Sequence, residues 1–150
     1  YAKKNPHTQI IFKGKIGVHE NKFKNFKMPS NIKFIKTGTG HKYLKDAKTV
    51  IAFNTTAALE ALAAGRHLVI PYYGFNKKEL GEKFIIQLNK KYYANSLKDL
   101  EKKINNNLKT NFKSQKINNI DKKFLKFYIG NYNMDSSRRL VNCIREVLKS

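Results

Sequence analysis

The chain has 150 residues, 41% of them hydrophobic, enough for one domain with a real core. It contains no apolar run of about 18 residues, the length a bilayer-spanning helix needs, and its single cysteine, Cys143, excludes an internal disulfide. A net charge of +21 favours anionic partners, yet Arg66, Arg138, Arg139 and Arg145 are its only arginines, which weighs against a sequence-reading nucleic-acid binder. The abundant lysine is read as residue bias from an A/T-rich genome together with a contribution at a cytoplasmic membrane surface.

Residues 1–6 read as the tail of a helix followed by an Asn-Pro turn, with no initiator Met and no secretory signal. On this reading the chain is part of a longer cytoplasmic protein, cut where another domain was attached. Gln9 to Lys13 is the first strand, and Gly14 ends it, leaving Lys13 and Lys15 at the carboxyl edge where open α/β sheets bind ligands. Ile16 to Ser30 is lysine-rich, with Phe23 and Phe26 spaced for one helical face and Pro29 as a stop; its His19-Glu20 pair lacks the further ligands a metal would need. Asn31 to Lys36 alternates apolar and basic residues as a half-exposed strand does. Thr37-Gly38-Thr39-Gly40-His41 then turns into a helix over Lys42 to Ala47. Its glycines allow either close backbone approach to a base or ribose, or simply a tight turn capped by Thr39.

The stretch from Thr49 to Gly74 carries the chemistry. Val50 to Phe53 is an apolar run of strand length, expected to be buried on both faces. Asn54, Thr55 and Thr56 supply N-cap chemistry, an Ala/Leu helix follows, Gly65 stops it at C′, and His67 to Pro71 is a second strand. Strand, polar turn, helix, glycine and strand make a βαβ unit with parallel strands. Unpaired amides in the first helical turn and the positive end of the helix dipole welcome an anion. Thr55 and Thr56 add hydroxyls. Glu60 lies one turn below Thr56, able to accept hydrogen bonds from a pair of sugar hydroxyls, while Ala58, Leu59 and Leu62 face the sheet.

Beyond it, Tyr72-Tyr73-Gly74-Phe75 offers rings to stack on a base or sugar, or to pack on another domain. Asn76 to Leu88 is helical, Lys91 to Ala94 is a short fifth strand, and Asn95-Ser96 caps a helix from Leu97 to Leu108. Thr110 to Asn119 is a polar loop. Ile120 to Ile129 is a packed helix, and Asp135 caps a last helix whose apolar stripe includes Leu140, Val141, Ile144, Val147 and Leu148. Alternation of strands and helices predicts one domain over 1–150: an α/β, Rossmann-like three-layer sandwich with a parallel sheet of about five strands.

The segment from Asn54 to Pro71 resembles the donor-binding segment in the C-terminal domain of GT-B glycosyltransferases, above all bacterial enzymes that build capsule and lipopolysaccharide sugars. That segment runs from small polar residues into a helix carrying a glutamate, then alanine/leucine, glycine, a basic residue and an apolar strand ending in proline. The resemblance implies one half of a GT-B fold and a nucleotide-sugar donor. It places the diphosphate on Lys13, Asn54, Thr55 and Thr56, and the ribose and base on Thr37, Gly38, Thr39 and Glu60. Gly14-Lys15 departs from the proline-histidine pair that many such enzymes carry after the first strand. Asp135-Ser136-Ser137-Arg138-Arg139 resembles the turn opening their final helix, with capping as its ordinary role.

On this reading the helix tip and lysines stabilise the departing diphosphate without a metal or cofactor, and the base comes from a missing N-terminal domain. The chain alone then binds donor without turning over. Two other readings stand beside it. One is half of a UDP-sugar 2-epimerase, which shares the half-fold. The other is a non-enzymatic basic module binding nucleic acid or anionic membrane.

Overall fold

The computed structural model describes residues 1–14, 27–53, 55–74, 88–110, 119–130 and 136–147. The chain divides into two compact units, Tyr1–Asp46 and Ala47–Ser150. The expected helices around Phe23 and over Asn76 to Leu88, the 110–119 loop and the Asp135 cap lie wholly or mostly outside the described residues.

In the N-terminal unit, strands β1 (Ile10–Lys13) and β2 (Ile32–Ile35) pair in parallel, Ile10 opposite Ile32 and Phe12 opposite Phe34. The Phe12 and Phe34 rings stack with centroids 5.3 Å apart, a cross-strand aromatic pair that ties the two strands on one side. Asn31 locks the entry to β2. Its Nδ2 lies 3.0–3.1 Å from the carbonyls of Ala2, Asn5 and Thr8 and shares its two protons among them, which ties down the N-terminal turn. Helix α1 is short, His41–Leu44, and opens on Gly40 without a side-chain cap. Thr39 therefore does not cap it, and the expected run to Ala47 is cut to a single turn.

The C-terminal unit is built on a parallel sheet of order β3-β4-β5, from Thr49–Ile51, His67–Pro71 and Tyr93–Ala94. The alternation of elements is thus α/β with parallel pairing. The single sheet of about five strands is not formed, because the described strands pair as a two-stranded and a three-stranded sheet. β4 is the buried centre: Leu68, Val69 and Ile70 are almost wholly excluded from solvent. β3 is an edge, and Ile51 and Phe53 stand half-exposed. The expectation that this apolar run is buried on both faces is therefore corrected: among the described residues it has a strand partner on one side only.

Helix α2 (Ala57–Ala63) connects β3 to β4 and buries Ala58, Leu59, Ala61 and Leu62. Its end is a Schellman motif. Arg66 N–H donates to Ala61 O and Gly65 N–H to Leu62 O, each at 2.9 Å, with Gly65 at φ +66°. Helix α3 (Leu97–Lys109) starts where Ser96 Oγ accepts from Asp99 N and Asp99 Oδ2 accepts from Asn95 N, both at 3.1 Å. It packs on all three strands. Helix α4 (Asn119–Ile129) packs on α2, and α5 spans Ser136–Val147. Among the described residues no helix is long and apolar enough to cross a membrane.

The orientation of α4 is fixed by a buried polar contact. Asp121 is fully buried, and its Oδ2 accepts from the Tyr92 hydroxyl at 2.6 Å with Lys91 Nζ 3.8 Å away. Lys91 Nζ also lies 4.8 Å from the Tyr92 ring centroid. Burying a carboxylate costs several kcal/mol unless it is partnered, so this contact selects one rotation of the helix. Tyr92→Phe is expected to lower unfolding free energy by about 2 kcal/mol in urea titrations, the range for a hydrogen bond to a charged group, and a loss within error of zero would remove Asp121's role.

Burial first, and then the Asp121 carboxylate, hold the Tyr92 phenol well above its ordinary 10.0; burial pushes the Tyr93 phenol up to about 12. Unfolded tyrosines then ionise before folded ones as pH rises. The stabilisation is complete below pH 10 and is lost as pH climbs through the folded values. Unfolding titrations from pH 9 upward should show stability falling beyond 10.0, the ordinary tyrosine value, and falling less steeply in Tyr92→Phe; parallel curves would refute the assignment.

Candidate functional site

The corner where β3 turns into α2 gathers Thr55, Thr56 and Glu60. Parallel pairing of β3 with β4 puts this corner at the carboxyl edge of the sheet, the edge at which doubly wound folds bind ligands. Thr55 is half-buried, Thr56 exposed and Glu60 half-buried. Asn54 lies outside the described residues. Thr56 occupies the N-cap position, but its backbone is helical, φ −58° and ψ −20°, and its side chain makes no cap hydrogen bond. A capping side chain needs the extended backbone that lets its oxygen swing over the first amides.

Thr55 takes that part instead, its Oγ1 accepting from Ala57 N at 3.3 Å. Ala58 N and Leu59 N donate to the Thr55 and Thr56 carbonyls at 3.0 and 2.9 Å, and Glu60 N to Thr56 O at 3.1 Å. The first-turn amides that the sequence leaves unpaired are therefore taken up by the turn itself. The reason is the tight entry to the helix, whose 3₁₀-type bonds consume orphan donors. What the corner presents outward is the exposed Thr56 side chain and the positive end of a short dipole; Glu60 follows one turn along the helix.

The same carboxyl edge carries Tyr72 and Tyr73, both half-buried. Tyr72 N donates to Ala94 O at 2.7 Å and its ring meets Tyr93 edge-on at 5.3 Å, so Tyr72 closes the end of the β4–β5 pair. Phe75 lies outside the described residues.

In the N-terminal unit the other candidates share one edge. Lys13 ends β1, and its Nζ donates to Gly14 O at 2.7 Å, folded back on its own chain. Gly14 N continues the ladder to Ile35 O at 3.1 Å, which brings the end of β1 beside the exposed Thr37-Gly38-Thr39 turn that follows β2. Gly38 has φ +73° with open space where a Cβ would stand, so glycine is required by backbone conformation and not by close approach. His19 and Glu20 lie outside the described residues. Among the described residues no three His, Cys, Asp or Glu side chains gather as a metal site would need.

At the opposite, amino edge of the three-stranded sheet, His67, Lys91, Lys103, Asn106 and Asn107 line a shallow cleft of about 190 Å³. Its polar groups answer one another: Lys103 Nζ donates to Lys91 O at 3.0 Å, and the Thr110 hydroxyl donates to Asn107 O at 2.7 Å. Thr110 Oγ1 then accepts from His67 Nε2 at 3.2 Å, since its one proton is already spent. Burial lowers the His67 pKa, in keeping with a neutral ring. Neither this cleft nor the Tyr92–Asp121 pair is singled out in the sequence. The available signal for the pair was an aspartate three and four residues before Phe124 and Leu125, on the helix's apolar side.

No protein-family model matches the chain, and no match to it was found among curated proteins or solved structures. Thr55→Val removes the oxygen that Ala57 N uses and should cost about 1 kcal/mol in thermal unfolding, whereas Thr56→Ala should stay within about 0.5 kcal/mol of the parent. The reverse ranking would mean that Thr56 caps the helix.

Proposed function

We propose that this chain is the donor-binding half of a glycosyltransferase of bacterial surface polysaccharide biosynthesis, with a Rossmann-like fold and a nucleotide-sugar as ligand. The observation that carries the reading is the β3–α2 corner: two threonines at the carboxyl edge of a parallel sheet with Glu60 one helical turn beyond Thr56. The resemblance of the Asn54 to Pro71 segment to GT-B donor sites supports it. Inward-facing bonds of the first-turn amides shift the task of meeting phosphate oxygens to hydroxyl donors and the helix dipole.

Transfer of the sugar leaves negative charge on the departing nucleoside diphosphate. Thr56, the α2 dipole and the field of a chain carrying +21 stabilise that charge. Glu60 accepts hydrogen bonds from the ribose hydroxyls and so distinguishes a nucleotide from bare diphosphate. The group that deprotonates the acceptor comes from a partner domain, so the chain binds donor without turning it over. Its location is cytoplasmic.

Isothermal titration with UDP, GDP, CDP and ADP should give saturable binding by at least one, and no heat from any at millimolar ligand would sink the reading. Glu60→Ala should weaken that nucleotide by about tenfold, the loss of one or two hydrogen bonds, while leaving inorganic pyrophosphate nearly unchanged. Equal losses for both ligands would refute the ribose assignment.

A further inference from the structure

The outward side of α4 is apolar and basic at once, and its direction is not a matter of choice. Asp121, Phe124 and Leu125 are buried, and the Asp121–Tyr92 hydrogen bond holds the helix in that rotation. At 100° per residue the opposite side then displays Lys122, Lys123 and Lys126, with Phe127 and Ile129 at its two margins. Phe127 is 81% exposed and Ile129 42%. The rings of Phe124, Tyr128 and Phe127 run outward from the buried side, with centroids 4.5 and 4.9 Å apart in turn. The outward residues from 122 to 129 include no acid.

A nearly fully exposed phenylalanine beside three lysines is costly for a face that meets only water. A second copy is a poor occupant, because each chain carries +21 and like faces repel. Bidentate reading of base edges favours arginine, and α4 has none, so a sequence-reading nucleic-acid contact fits this face poorly. Phosphate contact alone is common to both partners, and comparing vesicles with RNA separates them. Lysines on long apolar stems flanked by an aromatic and a branched aliphatic residue suit the boundary between headgroups and acyl chains. Helix α5 also shows exposed apolar and basic residues, Val141 and Ile144 with Arg138 and Arg145, though it has no lysine or aromatic ring.

We propose that the outward side of α4 docks peripherally on an anionic phospholipid surface, with Phe127 entering the headgroup layer and Lys122, Lys123 and Lys126 meeting lipid phosphates. This stands independently of the donor-site reading, since no residue of the β3–α2 corner takes part. Docking would leave that corner's chemistry unchanged while confining the chain to a membrane face.

Co-sedimentation of the 150-residue chain with vesicles tests it, using phosphatidylcholine alone and an equal mixture with phosphatidylglycerol, across a salt series. The mixed vesicles should retain the chain at low salt and the neutral ones should not. Phe127→Ser should weaken partitioning by about tenfold, the value of one buried aromatic ring. Lys122→Gln, Lys123→Gln and Lys126→Gln together should weaken it by roughly a hundredfold, about fivefold for each charge. All these side chains are exposed, so unfolding midpoints should stay at the parent value. Lys98→Gln, Lys102→Gln and Lys109→Gln on α3 form the control set and should weaken binding far less. Equal losses from the two lysine sets would overturn the proposal, because diffuse charge and not α4 would then do the binding. So would tighter, Phe127-dependent retention by single-stranded RNA at the same salt, or self-association abolished by Phe127→Ser. Glu60→Ala should still bind vesicles, which keeps this outcome separate from that of the nucleotide titration.

Discussion

The hydrogen-bonded ladders on both sides of β4 are the constraint on which the C-terminal unit depends. Leu68, Val69 and Ile70 are buried, so their peptide groups have no water to turn to and must be paired. β3 and β5 supply the partners, both parallel. Parallel pairing forces a crossover, and α2 is that crossover, held to the sheet by Ala58, Leu59, Ala61 and Leu62. The β3–α2 corner is thus a consequence of burying β4, and so is its position at the carboxyl edge.

A second buried contact governs what the unit shows to its surroundings. Asp121 sits among Phe124, Leu125 and Tyr92, where a bare carboxylate would be intolerable. The Tyr92 hydroxyl offsets part of that penalty at Oδ2, and the contact favours the rotation of α4 that keeps Asp121 inward. Phe127 and the lysines around it face outward because Asp121 faces inward. A polar group in the core here acts as a device for orientation more than for net stability.

The corner itself illustrates how a short helix entry uses its own chemistry. Thr55 and the two threonine carbonyls engage the amides of Ala57 to Glu60, so the turn is stable without a ligand. On the proposed reading, an anion arriving there would meet hydroxyl and dipole, and discrimination between a nucleotide and bare diphosphate would rest on Glu60 one turn along.

Local signals in the sequence determined local structure. Gly65 ends α2 in a Schellman turn, Ser96 starts α3, and the 3.6-residue pattern from Ile120 to Ile129 becomes α4, because each depends on groups within about six residues of one another. Strand identity was legible for the same reason, and so was the placing of Thr55 and Thr56 just before a helix with Glu60 in its first turn. Strand neighbours were not. Whether Val50 to Phe53 lies at a centre or an edge depends on which distant strand arrives beside it, and only the tertiary structure makes β3 an edge with Ile51 and Phe53 half-exposed. The same holds for Asp121: its place on the apolar side of the helix is local, but its proton donor, Tyr92, lies 29 positions away. Asn31 is a polar strand-start residue until three carbonyls from 23 to 29 positions earlier converge on it. Interactions that close long loops carry an entropic cost repaid only when the whole unit folds, so no window of sequence can reveal them.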